Sequence, residues 1–272
     1  MLACEVTPAH PDNPASRLKP GPEPKFSRSL EYGLVLLECF SAQHPAQQIS
    51  DLADLLGLSR STTHRYLQTL LVLERLEQDP KRRYRLTHGA AQPGANAIEA
   101  LRTETPEARS ILEELRALTG HTVSMATISG THALYTHRLH AHGPDQYSAD
   151  LDHGVGAHIP LHATAIGKAL LASLSQTEQK ASVSLLALEQ EGPNTVATKK
   201  QLVEELNDIR STGIATCDEE QAWGVRSIAT HIPRPGRTRP LAISITAPAS
   251  RHTTQTLEDS YALPLTSAAH QI

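Results

Sequence analysis

Three consecutive residues, Gly57-Leu58-Ser59, constrain this chain more than any others. Before them, Leu52, Ala53, Leu55 and Leu56 recur at the spacing of one helical face. After them, Leu67, Leu70 and Leu71 do the same. Glycine readily takes the left-handed conformation that ends a helix, and Ser59 can cap the next one. Helices joined so tightly cross steeply, as in a helix-turn-helix. A first helix is expected over 28–41, where Leu30, Leu34, Leu37 and Phe40 fall near helical spacing. Ser50 is expected to cap the second helix. Further on, Asp79-Pro80 separates two short runs, 75–77 and 83–86, so a hairpin with a basic tip is expected. Three helices and this hairpin make a winged helix-turn-helix over 25–88.

Net charge argues against nucleic acid until it is divided. The 272-residue chain sums to −4. Residues 59–88 hold seven Lys and Arg against three Asp and Glu, which gives +4 and leaves −8 for the remainder. A basic segment on an acidic body is the pattern of a nucleic-acid module joined to a second function. On the third helix, Arg60, Ser61, Thr62, His64, Arg65 and Gln68 are expected to face outward. Hydroxyls and amides near a helix start suit phosphates, whereas Arg and Gln reach base edges in the major groove. Lys81, Arg82 and Arg83 stand at the expected wing tip, where they can follow phosphate or the minor groove. Aromatic residues are only 3% of the chain, which disfavours single-strand recognition by stacking.

The flanking sequence is expected to divide as follows. Six prolines between 8 and 24 exclude helix, so 1–24 reads as a disordered tail. Leu2-Ala3-Cys4 lacks the apolar stretch of a signal peptide, and no run approaches the roughly 18 apolar residues of a membrane helix. A cytoplasmic protein with no membrane partner is expected. Cys4, Cys39 and Cys217 are too scattered for a disulfide framework or a zinc ribbon. Residues 89–105 read as a linker with a connecting helix over 95–102, and Pro106 is expected to open the next helix. Alternation over 121–129 and 132–140 predicts a hairpin. Further strands are expected at 158–161, 213–217, 225–232 and 241–247, with helices at 163–173, 176–188 and 198–212. Residues 106–272 are therefore expected to form an α+β domain around an antiparallel sheet. Pro264 is expected to interrupt any helix near the C-terminus.

The run from Ile49 to Leu67, with Arg83-Tyr84-Arg85-Leu86, resembles the isocitrate lyase regulator (IclR) family of transcription factors. Three later stretches resemble the same family: Leu161–Ala172, Asp218–Ala229 and Leu241–Pro248. One departure is Glu74, where the family usually has a glycine ending the recognition helix. The resemblance implies a winged helix-turn-helix joined by a linker helix to a GAF-like α+β effector-binding domain. It implies double-stranded operator DNA and a small carboxylate-bearing effector as partners, and a homodimer or dimer of dimers. It also implies effector contacts at Thr164, Ala165 and Ile166, where a strand gives way to a helix and free amides can hold a carboxylate. Ser244 and Thr246 share a strand face. Ser227 stands where many members carry cysteine, and Cys217 or Asp218 where some use an acidic contact.

Competing signals are weaker. Gly167-Lys168 lacks the glycine that a phosphate loop needs five residues earlier, where His162 stands. Eight of the fifteen histidines lie between 121 and 162, yet His137, His140 and His142 show no tight metal-ligand pattern, so no metal and no cofactor is expected. No nucleophile and base pair up. The leading expectation is a regulator without enzymatic activity, acting as a repressor. The alternatives are a metal-assisted hydrolase with an accessory nucleic-acid-binding module, and a DNA-binding architectural protein whose second domain only oligomerises.

Overall fold

The computed structural model describes residues 26–41, 44–141, 153–233 and 239–272. The tail over 1–24, Cys4 and His142 lie outside them. The chain divides into two compact units between Asn96 and Ala97.

The first unit comprises α1 (Arg28–Glu38), α2 (Ile49–Leu56), α3 (Arg60–Val72), β1 (Leu76–Gln78) and β2 (Tyr84–Leu86). Gly57 ends α2 at φ +63°, a conformation that costs most other residues. Ser59 Oγ accepts the Thr62 N–H at 3.2 Å and starts α3. Ser50 does not cap α2, contrary to expectation. The helix begins at Ile49, two residues earlier than a Ser50 cap would place it, and Asp51 reaches back to accept the Gln48 N–H at 3.3 Å. A carboxylate there both satisfies a first-turn donor and faces the positive end of the helix. Leu36, Leu52 and Leu67 are fully buried, and Tyr84 of the wing packs with them. Tyr84 and Gln47 exchange backbone hydrogen bonds of 3.0 and 2.8 Å, which fasten the wing to the chain ahead of α2.

Glu74 takes the left-handed conformation, φ +55°, where α3 gives way to the wing. Its carbonyl accepts the Thr87 hydroxyl at 2.5 Å, and the next residue donates its N–H to Leu70 at 2.8 Å. The turn is therefore the kind glycine makes, built with a residue that strains in it.

A single helix, α4 (His88–Thr103), runs through the division. It starts seven residues before the helix expected over 95–102 and contains Pro93. Pro93 has no N–H for the Gly89 carbonyl, and the Arg75 guanidinium donates to that oxygen instead. The helix survives its proline because a side chain replaces the missing donor.

The second unit holds α5 (Ala108–Thr119), β3 (Thr122–Ser129), β4 (His132–Leu139), β5 (His158–Pro160), α6 (Ala165–Ser173), α7 (Gln176–Leu185), α8 (Lys199–Thr212), β6 (Ala215–Asp218), β7 (Val225–His231), β8 (Leu241–Pro248) and α9 (Thr254–Gln271). This is an α+β domain around one antiparallel sheet of order β5-β4-β3-β8-β7-β6. Helices α5 and α9 cover one face, over Val123, Met125, Ile228, Ile243 and Ile245. Helix α6 covers the other, over Ala126, Tyr135, Cys217, Ala229 and Ala242, and α7 and α8 pack on α6. The buried branched apolar side chains of β3 and β8 thus point to α5 and α9, with Ala126 and Ala242 toward α6, whereas Ile159 of β5 packs under α6. Pro106 lies two residues ahead of α5 rather than opening it. Pro264 lies inside α9 without ending it. A proline removes one helical hydrogen bond, and the burial of Leu257, Leu265 and Ala268 holds the helix together around the gap.

Two outcomes are expected. Glu74→Gly removes the strained residue, so urea denaturation should show a gain of about 1 kcal/mol, less than the full left-handed penalty because glycine also loosens the unfolded chain. His137 is buried beside Arg102 and Arg109, and burial first, then those cations, lower its pKa to about 4. The unfolded chain therefore takes up a proton below about 6.5 that the folded chain refuses until about 4. Melting temperature should fall as pH drops through that window, and His137→Gln should flatten the decline.

Candidate functional site

The first unit presents one continuous polar face. Arg60, Ser61, His64, Arg65 and Gln68 of α3 are all exposed, while Thr63, Leu67 and Leu70 on the opposite side are buried. Thr62 is half-buried, and its hydroxyl lies 2.9 Å from that of Ser59, so it belongs as much to the cap as to the surface. Gln68 and His64 approach at 3.4 Å, one turn apart. Lys81 and Arg82 are exposed at the wing tip. Arg83 is not free there. Its Nε and Nη2 donate to Asp79 Oδ2 at 2.9 and 2.8 Å, and Asp79 Oδ1 accepts the backbone N–H groups of Lys81 and Arg83, both at 2.9 Å. Those donors hold the Asp79 carboxyl below its usual range, the Arg83 backbone N–H first among them. Arg83 therefore shapes the wing, and Lys81 and Arg82 are the cations it offers.

In the second unit the candidate site is the sheet face beneath α6. Thr164 caps that helix: its Oγ accepts the Gly167 N–H at 3.1 Å and donates to the Pro160 carbonyl at 2.7 Å. With the Lys168 N–H bonded to the Thr164 carbonyl at 2.9 Å, the N–H groups of Ala165 and Ile166 stay outside the capping bonds. Thr164 is thus a structural cap, and the two amides after it carry the anion-binding potential. Gly167 permits this turn, since a Cβ there would stand 2.5 Å from the Leu161 carbonyl oxygen.

Strand register brings several expected residues together. Thr246 lies opposite Ser227, and Ser227 opposite Cys217, in one row across β8, β7 and β6. Ser244 lies in the adjoining row. Cys217 shares the α6 face, and its thiol donates to the Ala163 carbonyl at 3.4 Å, while burial raises its pKa. Asp218 has the opposite parity and pairs with Arg226 at 2.6 Å, away from this face. Of the two residues the resemblance leaves open, Cys217 is the one beside Ser227.

Sequence reasoning missed the other half of this face. On β3, Val123 and Met125 pack toward α5 and α9. The alternate residues, Thr122 and Ser124, extend the hydroxyl rows opposite Thr246 and Ser244. Arg138 of β4 lies opposite Ser124, with its guanidinium 4.8 Å over the Tyr135 ring. The period of two along β3 was the available signal. Also missed was Lys168, whose ammonium is buried against Glu220 at 2.7 and 2.8 Å and Glu205 at 3.0 Å. Burial opposes its charge, but the two carboxylates overcome that and raise its pKa. This ion pair ties α6 to the segment after β6. It also walls a cavity of about 300 Å³ that includes Glu205, Asp208, Glu220 and Glu258, a lining hostile to anions. Among the described residues no three His, Cys, Asp or Glu side chains gather to hold a metal ion.

Comparison with known proteins decides the family. Residues 105–272 match the bacterial transcriptional regulator IclR C-terminal family, and residues 29–80 match the IclR helix-turn-helix domain. The chain belongs to the IclR family. It is similar to the transcriptional regulator XynR of Escherichia coli, 30% identical over 206 residues, covering 75% of this chain and 80% of that protein. It is likewise similar to the transcriptional repressor AllR of E. coli, 30% identical over 230 residues, covering 84% and 83%. Among solved structures, an IclR family regulator from Brucella abortus superposes with a TM-score of 0.77 at 22% identity, covering 97% of both chains. An IclR homologue from Microbacterium hydrocarbonoxydans, complexed with 4-hydroxybenzoate, gives 0.72 at 23% identity, covering 89% and 95%. This IclR-type chain is a DNA-binding transcriptional regulator. The hydrolase alternative finds no support in these relationships.

Removing the Lys168 ammonium should strand Glu220 as a buried, uncompensated carboxylate. Lys168→Ala should cost about 3–5 kcal/mol in urea denaturation, whereas Lys200→Ala, on an exposed i,i+4 pair, should cost under about 0.5 kcal/mol.

Proposed function

We propose that this IclR-type protein is a cytoplasmic, effector-controlled repressor without enzymatic activity, which reads a palindromic operator as a homodimer or a dimer of dimers. The carrying observation is the exposed α3 face of Arg60, Ser61, His64, Arg65 and Gln68, continued by Lys81 and Arg82. Arg65 and Gln68 have the reach for base edges, and the first-turn residues and wing cations suit phosphates. Two such modules require half-sites about one helical turn apart, roughly 34–36 Å, or a multiple of it. Repression follows the related AllR, which is named a repressor. Among the described residues no helix is long and apolar enough to cross a membrane.

We assign DNA reading to 25–88, transmission to 89–105 and effector binding to 106–272. The effector is a small carboxylate, held by the amides of Ala165 and Ile166 above the Cys217, Ser227, Ser244 and Thr246 face. Arg138 adds positive charge to that face. The Microbacterium homologue's 4-hydroxybenzoate is also a carboxylate, which supports the class. For regulation the effector must bind one arrangement of the dimer better than the other.

The test is anisotropy titration of a mixed-sequence duplex of about 20 base pairs at several salt concentrations, where log Kd should rise steeply with log salt. Arg60→Ala, Lys81→Ala and Arg82→Ala should each reduce the slope by about 1, and Gln68→Ala should leave it unchanged. A slope near zero for the unaltered protein would sink the interface.

A further inference from the structure

One atom on the α6 face is not accounted for by the fold. Ser124 is fully buried, and among the described residues its Oγ has no hydrogen-bond partner. A buried hydroxyl left unpaired is costly, so native structures rarely keep one without a use. Its surroundings are specific. Ser124 lies directly opposite Ser244 of β8, which is also buried. In the next row Thr122, Thr246, Ser227 and Cys217 follow one another across four strands. Every other neighbour on these rows toward β7 and β6 is small, Ala229 and Ala215. The amides of Ala165 and Ile166 start a nine-residue helix that packs across β3, β8, β7 and β6, over this same face.

We propose that Ser124 is a specificity-determining residue of the effector site, and that with Ser244, Ser227 and Thr246 it selects a hydroxylated aliphatic carboxylate. This rests on the assignment of the effector site to the α6 face. The argument is chemical matching. A serine or threonine hydroxyl both donates and accepts, so it pairs with another hydroxyl in either sense. An alkanoate bound by the same amides would cover these buried hydroxyls with methylene groups and leave them unpaired. Sites built to bond a ligand hydroxyl reject the analogue lacking it far more strongly than apolar pockets reject a misfit. Among the described residues Tyr135 is the one aromatic side chain in the buried hydrophobic cluster under α6, so this face offers an aromatic acid little stacking surface.

Thermal shift and calorimetry on the full-length protein test this with two matched series. Glycerate, threonate, arabinonate and gluconate carry hydroxyls; propionate, butyrate, pentanoate and hexanoate have the same chain lengths without them. Benzoate completes the set. At least one hydroxy acid should raise the melting temperature, and its alkanoate partner should bind at least tenfold more weakly. Ser124→Ala should melt within about 2 °C of the unaltered protein without ligand and bind that hydroxy acid at least tenfold more weakly, with alkanoate affinity unchanged or improved. Ser244→Ala serves as the second variant should the first fail to fold. If alkanoates or benzoate bind as tightly as the hydroxy acids, or both variants keep full affinity, the specificity claim is overturned while the effector site stands. If no carboxylate in either series binds, the assignment of the effector site falls and this inference falls with it.

Discussion

The close seating of α6 on the sheet is the constraint on which the second unit depends. Gly167 lets the turn from Leu161 to Thr164 fold back against the helix, with backbone where any side chain would have to go. Strands β3 and β8 answer with alanine, serine and threonine on that face and keep their buried branched apolar residues for α5 and α9. Two consequences follow from one packing choice. The helix N-terminus comes to lie over polar side chains, and its first two amides are left outside the capping bonds. Lys168, one residue after Gly167, is carried so deep that only carboxylates from α8 and from the segment after β6 can neutralise it. The ion pair is a result of the close approach and then reinforces it.

The first unit solves a different problem, which is to hold a polar helix face rigid without burying it. Ser59, Thr62 and Thr63 spend their hydroxyls on the start of α3, leaving the longer side chains outside. Asp79 does the same for the wing, gathering two backbone N–H groups and Arg83 into one turn. Basic residues therefore separate into those that shape the surface and those the surface offers, a distinction that net charge cannot make.

Legibility in the sequence followed the range of the interactions. Gly57, Ser59 and the leucine spacing act over a few residues, so the helices of the first unit and their junction could be read directly. Glu74 was noticed as a departure from a family pattern, and its left-handed φ supplies the physical reason glycine is usual there. Tertiary contacts overrule proline twice. Pro93 and Pro264 break helices by local rules, but Arg75 reaches Gly89 from outside the helix, and burial holds α9. The polar face under α6 was half legible: Ser244, Thr246 and Ser227 were candidates from resemblance, while the place of Ser124 beside them needed the register of β3 against β8. The Lys168–Glu220 pair spans 52 positions, and nothing local announces it.

That same pairing of β3 with β8 sets the order in which the protein can be made. The centre of the sheet joins residues 122–127 to residues 241–246, near the two ends of the second unit. A ribosome must therefore deliver nearly the whole unit before its middle strands can meet, and loop closure of that length slows folding. The winged unit closes through neighbours only a few tens of residues apart and precedes it in the chain. During synthesis the winged unit can be complete while the strands of the second unit are still exposed, which makes the late-closing sheet the part of this regulator most dependent on protection from aggregation.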